Sequence, residues 1–69
     1  MATLRQLRLG LGWTIAKLEQ ESGLARKTIT SAERGGAVQA DTAKALADAL
    51  GKGYGKEIQS WEIEKLVIR

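Results

Sequence analysis

The 69-residue chain contains no cysteine, no proline, no histidine and no phenylalanine. Without cysteine there is neither a disulfide framework nor a thiolate metal site. Without histidine the commonest general base and the usual zinc ligand are missing, so metalloenzymes and triad hydrolases are excluded. No nucleophile–base pair stands out, and a chain this short offers little room for a catalytic cleft, so Glu62 and Glu64 read as a solvated face. The expectation is a non-enzymatic protein with no cofactor and no metal. Aromatic residues are scarce too. Only Trp13, Tyr54 and Trp61 are present, none interleaved with basic residues, which argues against a platform that stacks single-stranded bases. No run of eighteen apolar residues is available to span a membrane, and the amino-terminal stretch lacks the apolar block of a secretory signal. The expected location is the cytoplasm, with no membrane partner.

What is present describes one small domain: 43% apolar and 28% charged residues, on a chain too short for a second core. Such a domain buries only roughly 60% of the surface its unfolded form exposes, so self-association would help it. Eleven basic residues outnumber eight acidic ones, and the excess is localised. Residues 1–35 carry six basic and three acidic side chains, whereas residues 36–69 carry five of each. A localised basic surface points to a polyanion, although a solubilising face carries the same signature.

With no proline, the eight glycines do most of the chain-breaking, and the stretches between them have the lengths of ordinary helices. Thr3 and Gln6 stand in capping-box spacing ahead of a Leu4, Leu7, Leu11 stripe, which predicts a helix over about 3–9. Thr14 caps a second helix, with Ile15 and Leu18 inward and Gly23 ending it. Asp41 is placed to cap a fourth, whose Ala43, Leu46, Ala47 and Leu50 repeat at helical spacing before Gly51 stops it. Residues 51–55 then form a hinge. Beyond it, Ile58, Trp61 and Leu66 suit a helical face, while Trp61, Ile63 and Val67 also suit a strand. The pattern favours a fifth helix from near Lys56, with Leu66-Val67-Ile68 extended or in an interface. Neither Gly10-Leu11-Gly12 nor Gly35-Gly36 is a phosphate loop, since neither follows a strand nor precedes the required Lys-Ser/Thr.

The third helical stretch, residues 25–34, conflicts with its own local physics. Ala25 offers no capping oxygen, Thr28, Ile29 and Thr30 are β-branched, and Arg26 and Lys27 place two cations at the positive end of the helix dipole. An external phosphate backbone would relieve that clash. The alternative is a strained but solvated helix end. Around Gly23 the two short helices read as a helix-turn-helix, with Ile29 inward and Arg26, Lys27, Thr30 and Ser31 projecting outward. These side chains suit base edges in a major groove.

The ordered set Leu4-Arg5-Gln6-Leu7-Arg8, Gly12-Trp13-Thr14, Gly23-Leu24, Thr28-Ile29, Glu33-Arg34-Gly35 and Leu46-Ala47-Asp48-Ala49-Leu50-Gly51 resembles the phage-repressor/Cro-type helix-turn-helix family, also called the xenobiotic-response-element family. The resemblance covers about fifty residues. It implies an all-α, five-helix, lambda-repressor-like DNA-binding domain with the helix-turn-helix at the second and third helices. It further implies base contacts from Arg26, Lys27, Thr30 and Ser31, and phosphate contacts from Thr14, Thr28 and Arg34. Arg8 and Glu33 match an internal ion pair, which a glutamate at the negative end of a helix needs. Some positions depart from the pattern: Glu19 stands where alanine is usual, Ala32 is smaller than the usual isoleucine or leucine, and Ala25 replaces a common serine cap.

Two segments are expected, a helix-turn-helix core over 1–51 and a hinge with a dimerisation or partner-binding segment over 52–69. In the latter, Ile58, Trp61 and Leu66 are the candidate dimer or partner contacts, with Trp61 in the core or at a dimer contact. Trp13, just ahead of a helix cap, reads as half-buried. The function expected is sequence-specific binding of double-stranded DNA by a homodimeric transcriptional regulator, a repressor on a palindromic operator. The alternative is a protein-interaction module, an antitoxin or anti-repressor, that keeps the fold and binds a protein partner through its carboxy-terminal segment.

Overall fold

Helix starts follow local side-chain chemistry at the amino-terminal end of the chain. The computed structural model describes residues 2–69. Helix α1 (Leu4–Gly10) begins at a closed capping box. The Thr3 hydroxyl oxygen accepts from the Gln6 amide at 3.2 Å, and the Gln6 side-chain oxygen accepts from the Thr3 amide at 2.9 Å. Helix α2 (Ile15–Ser22) starts at Thr14, whose side-chain oxygen accepts from the Lys17 amide at 3.1 Å. It stops at Gly23, which takes the left-handed conformation at φ 73° that a residue with a Cβ adopts only at a cost. Three residues later α3 (Arg26–Glu33) begins, and its cap residue Ala25 makes no side-chain hydrogen bond.

Helix α4 (Ala40–Tyr54) corrects two expectations. Its cap is Gln39, and Asp41 lies inside the first turn, where its carboxylate accepts from the Thr42 amide at 2.8 Å. A carboxylate in that turn still favours the helix dipole. At the other end the helix runs through Gly51 and Gly53 instead of stopping at a hinge, and ends at Gly55. Both inner glycines serve close packing. A Cβ on Gly51 would lie 2.6 Å from the Lys56 carbonyl oxygen, and one on Gly53 would lie 2.7 Å from Leu11 Cδ1 and from the Trp13 ring.

The expected fifth helix from Lys56 is absent. Residues 56–69 hold only a 3₁₀ turn, Ser60–Glu62, so the described residues form four α-helices and that turn rather than five helices. No extended strand forms there either, and the segment returns across the domain through two isolated parallel pairings, Thr3 with Glu64 and Val38 with Ile68. Backbone groups that a helix would pair locally are committed to distant partners instead: the Glu64 amide donates to the Ala2 carbonyl, the Arg69 amide to the Val38 carbonyl, and the Val67 carbonyl accepts from the Val38 amide, while Ile58 and Ile63 turn into the core and Trp61 between them stays outside.

Leu18, Ile29, Leu46 and Leu50 form the centre of the core with essentially no exposure. Around them lie Leu4, Val38, Ala43, Ala47, Ile58 and Ile63. The Ala43, Leu46, Ala47 and Leu50 stripe of α4 is buried throughout. Of the three residues expected to meet a partner, Ile58 lies in the chain's own core and Leu66 is half-buried against it. Trp61, by contrast, is 78% exposed, which removes the core from its two expected places, core or dimer contact.

Candidate nucleic-acid interface

Helix α3 is anchored from one side only. Ile29 and Ala32 are buried, and burying an isoleucine side chain contributes about 1.5–3 kcal/mol. Arg26, Lys27, Ser31 and Arg34 are exposed, and Thr28 and Thr30 are half-buried at the margins of the same surface. Helix α2 packs against both α3 and α4, so the exposed face of α3 is held on a rigid base.

The carboxy-terminal end of α3 is held by a buried ion pair. The Arg8 guanidinium donates to both carboxylate oxygens of Glu33, from Nε at 2.7 Å and from Nη2 at 3.1 Å. Its Nη1 donates to the Trp13 carbonyl oxygen at 2.8 Å. The two side chains are only 8% and 7% exposed. One arginine thus ties α1, the loop before α2 and the end of α3 together, and it supplies the cation that Glu33 needs at the negative end of its helix.

Arg26, Lys27, Thr30, Ser31 and Arg34 line one shallow concavity of about 700 Å³, together with Gly36. Three cations line it and no carboxylate does. Beside it lies a second groove of about 400 Å³, which shares Lys27 and Ser31 and adds Thr28, Gln39, Thr42 and Arg69. Thr14 lies in neither; it sits exposed at the start of α2. Because its hydroxyl oxygen already accepts from Lys17, its O–H is available to donate outward, as a phosphate contact would require. Sequence reasoning overlooked Gln39, Thr42 and Arg69. The first two follow Val38 at the start of α4 and carried no signal beyond their polarity, and Arg69 arrives by a fold-back that no local pattern encodes.

Two cations near this face have intramolecular partners. Arg26 Nε is 3.1 Å from Glu19 Oε1 across the turn, which is what the unusual glutamate of α2 does. Lys17 donates to Glu21 at 3.0 Å and lies 5.8 Å from the centre of the half-buried Trp13 ring. The hydrogen bond from Lys17, with its charge, holds the Glu21 carboxyl below the usual carboxylate value. Among the described residues, Lys27, Arg34 and Arg69 make no ion pair.

Two short helices joined by a left-handed glycine, the second presenting cations and hydroxyls from a helix buried on its other side, define a helix-turn-helix domain. A helix-turn-helix family model matches residues 4–55, and the chain belongs to that family, the phage-repressor/Cro-type or xenobiotic-response-element family of DNA-binding regulators. No curated protein and no solved structure matches the chain. Among the described residues no helix is long and apolar enough to cross a membrane.

Proposed function

We infer that the protein is a sequence-specific regulator of transcription that inserts α3 into the major groove of double-stranded DNA. It acts in the cytoplasm as a homodimeric repressor on a palindromic operator. The observation that carries this assignment is the carboxylate-free concavity of Arg26, Lys27, Thr30, Ser31 and Arg34 on the outer face of α3. Arginine and lysine there suit guanine O6 and N7, threonine and serine suit several base edges, and Thr14, Thr28 and Arg34 flank them as phosphate contacts. An anion near Arg26 and Lys27 also relieves the unfavourable charge at the start of α3. Two copies, with recognition helices about 34–36 Å apart, would reach successive major grooves. Trp61, exposed at the surface, is the aromatic side chain available to such an interface.

The test is selection of randomised duplex DNA by the purified protein at about 150 mM salt, where purely electrostatic binding is weak. Enrichment of a two-fold symmetric motif is the expected result. An enriched motif without symmetry would remove the dimer and leave the regulator, and weak binding without enrichment would remove sequence-specific recognition.

A further inference from the structure

The groove beside the recognition face contains one residue from outside the span that matches the family. Arg69 lines it together with Lys27, Thr28, Ser31, Gln39 and Thr42. Its backbone is clamped there. The Arg69 amide donates to the Val38 carbonyl at 2.8 Å, and the Val38 amide donates to the Val67 carbonyl at 2.8 Å, so the last residues pair with the strand-like step between α3 and α4. The position of Arg69 is therefore set by main-chain bonds, and its side chain is exposed and without an ion-pair partner among the described residues. No acidic side chain lines the groove, and Lys27 and Ser31 belong at once to it and to the concavity on α3.

We propose that Arg69 is part of the DNA-binding surface and contacts a backbone phosphate next to the recognition helix, with Lys27 lining the same groove. This rests on α3 being the DNA-reading helix. If α3 enters the major groove, the phosphates bounding that groove pass along its flanks, and this flank offers two cations and the hydroxyls of Thr42 and Ser31. The carboxy-terminal segment thereby has a use beyond completing the core: it delivers a charge to the interface that the helix-turn-helix lacks.

The test compares Arg69→Gln with Lys56→Gln in the 69-residue chain, using a random-sequence duplex and any selected operator over 50–200 mM salt. Lys56 is an exposed cation at the far end of α4, its backbone against Gly51 and so about 14 Å along the helix axis from Thr42, and it controls for net charge alone. Arg69→Gln is expected to weaken binding to both duplexes by the same factor. The slope of log affinity against log salt should fall by about 0.9, so the wild-type advantage shrinks roughly 3.5-fold across that range. Arg69→Lys should restore most of the slope, and the urea midpoint should not move because the main-chain bonds to Val38 remain. If the wild-type chain binds duplex DNA and Arg69→Gln matches Lys56→Gln in affinity and slope, Arg69 does not touch DNA. A wild-type chain that binds no duplex would instead overturn the assignment of α3 itself.

Discussion

Arg26 and Lys27 are neighbours at the start of α3, yet they are not electrically equivalent. Arg26 is shared with Glu19, whereas Lys27 has no carboxylate beside it among the described residues. An exposed pair of this kind contributes at most about 1 kcal/mol, so DNA can displace it, but Lys27 starts without that competition. Lys27→Ala is accordingly expected to weaken operator binding by about 1–3 kcal/mol and to relax preference at one base pair. Arg34→Ala should weaken binding to all sequences alike and lower the salt slope by about one. Titrations on operator and random duplex separate the two, and the reverse pattern would exchange their roles. The buried Arg8 sets a different scale. Arg8→Met leaves the Glu33 carboxylate buried and unpaired, which costs about 3–5 kcal/mol against a total stability of about 5–15 kcal/mol for an ordinary domain. Urea denaturation should show most of that loss, and an unchanged midpoint would mean that water replaces the guanidinium. These pairs were unequally legible in the sequence. Arg8 and Glu33 are 25 residues apart and only the family resemblance connects them, while Glu19 stood out as a departure with no sign that Arg26, seven residues on, would answer it.

The elements differ in how local their determinants are. α1 and α2 begin where Thr3 and Thr14 say they should, because a cap is made by a side chain and an amide three residues apart. The weak start of α3 was equally legible, since the absence of an oxygen on Ala25 is visible in the sequence. Ala25→Ser should therefore stabilise the domain by about 1 kcal/mol, measured as a raised urea midpoint. No gain would mean that water already satisfies the first amides of α3. The end of α4 was misread because Gly51 and Gly53 look like terminators, and what they accommodate lies elsewhere in the chain: Leu11, Trp13 and the Lys56 carbonyl. In an exposed helix interior, glycine to alanine gains up to about 1 kcal/mol. At Gly51 the new Cβ would meet a backbone oxygen at 2.6 Å, which cannot swing aside as a side chain does, so Gly51→Ala should destabilise by about 1–3 kcal/mol. A stabilised variant would show that the 56–69 segment yields freely at that contact.

At the level of the whole molecule, the question is whether residues 56–69 are an arm or part of the body. Their composition suggested an arm after a glycine hinge. In the structure Ile58 is 7% and Ile63 is 3% exposed, the Glu64 amide donates to the Ala2 carbonyl at 3.0 Å, and Val38 is paired from both sides by the last residues. The segment therefore joins the amino-terminal end, the step before α4 and the core. Nothing local in the sequence could specify this, because each contact is between residues dozens of positions apart and their apolar spacing, which also suits a strand, favours a helix that does not form. For so small a domain the contribution is large: an isoleucine truncated to alanine in a core costs about 2–5 kcal/mol, a substantial part of the total. Ile63→Ala should thus lower the urea midpoint markedly with a single transition, and α1 and α3 should lose structure together with the tail. Hydrogen exchange of the Glu64 and Arg69 amides, both bonded across the domain, provides the check. If those amides exchange freely in the wild-type chain while α3 stays protected, the tail is a detachable arm, and the domain proper ends with α4.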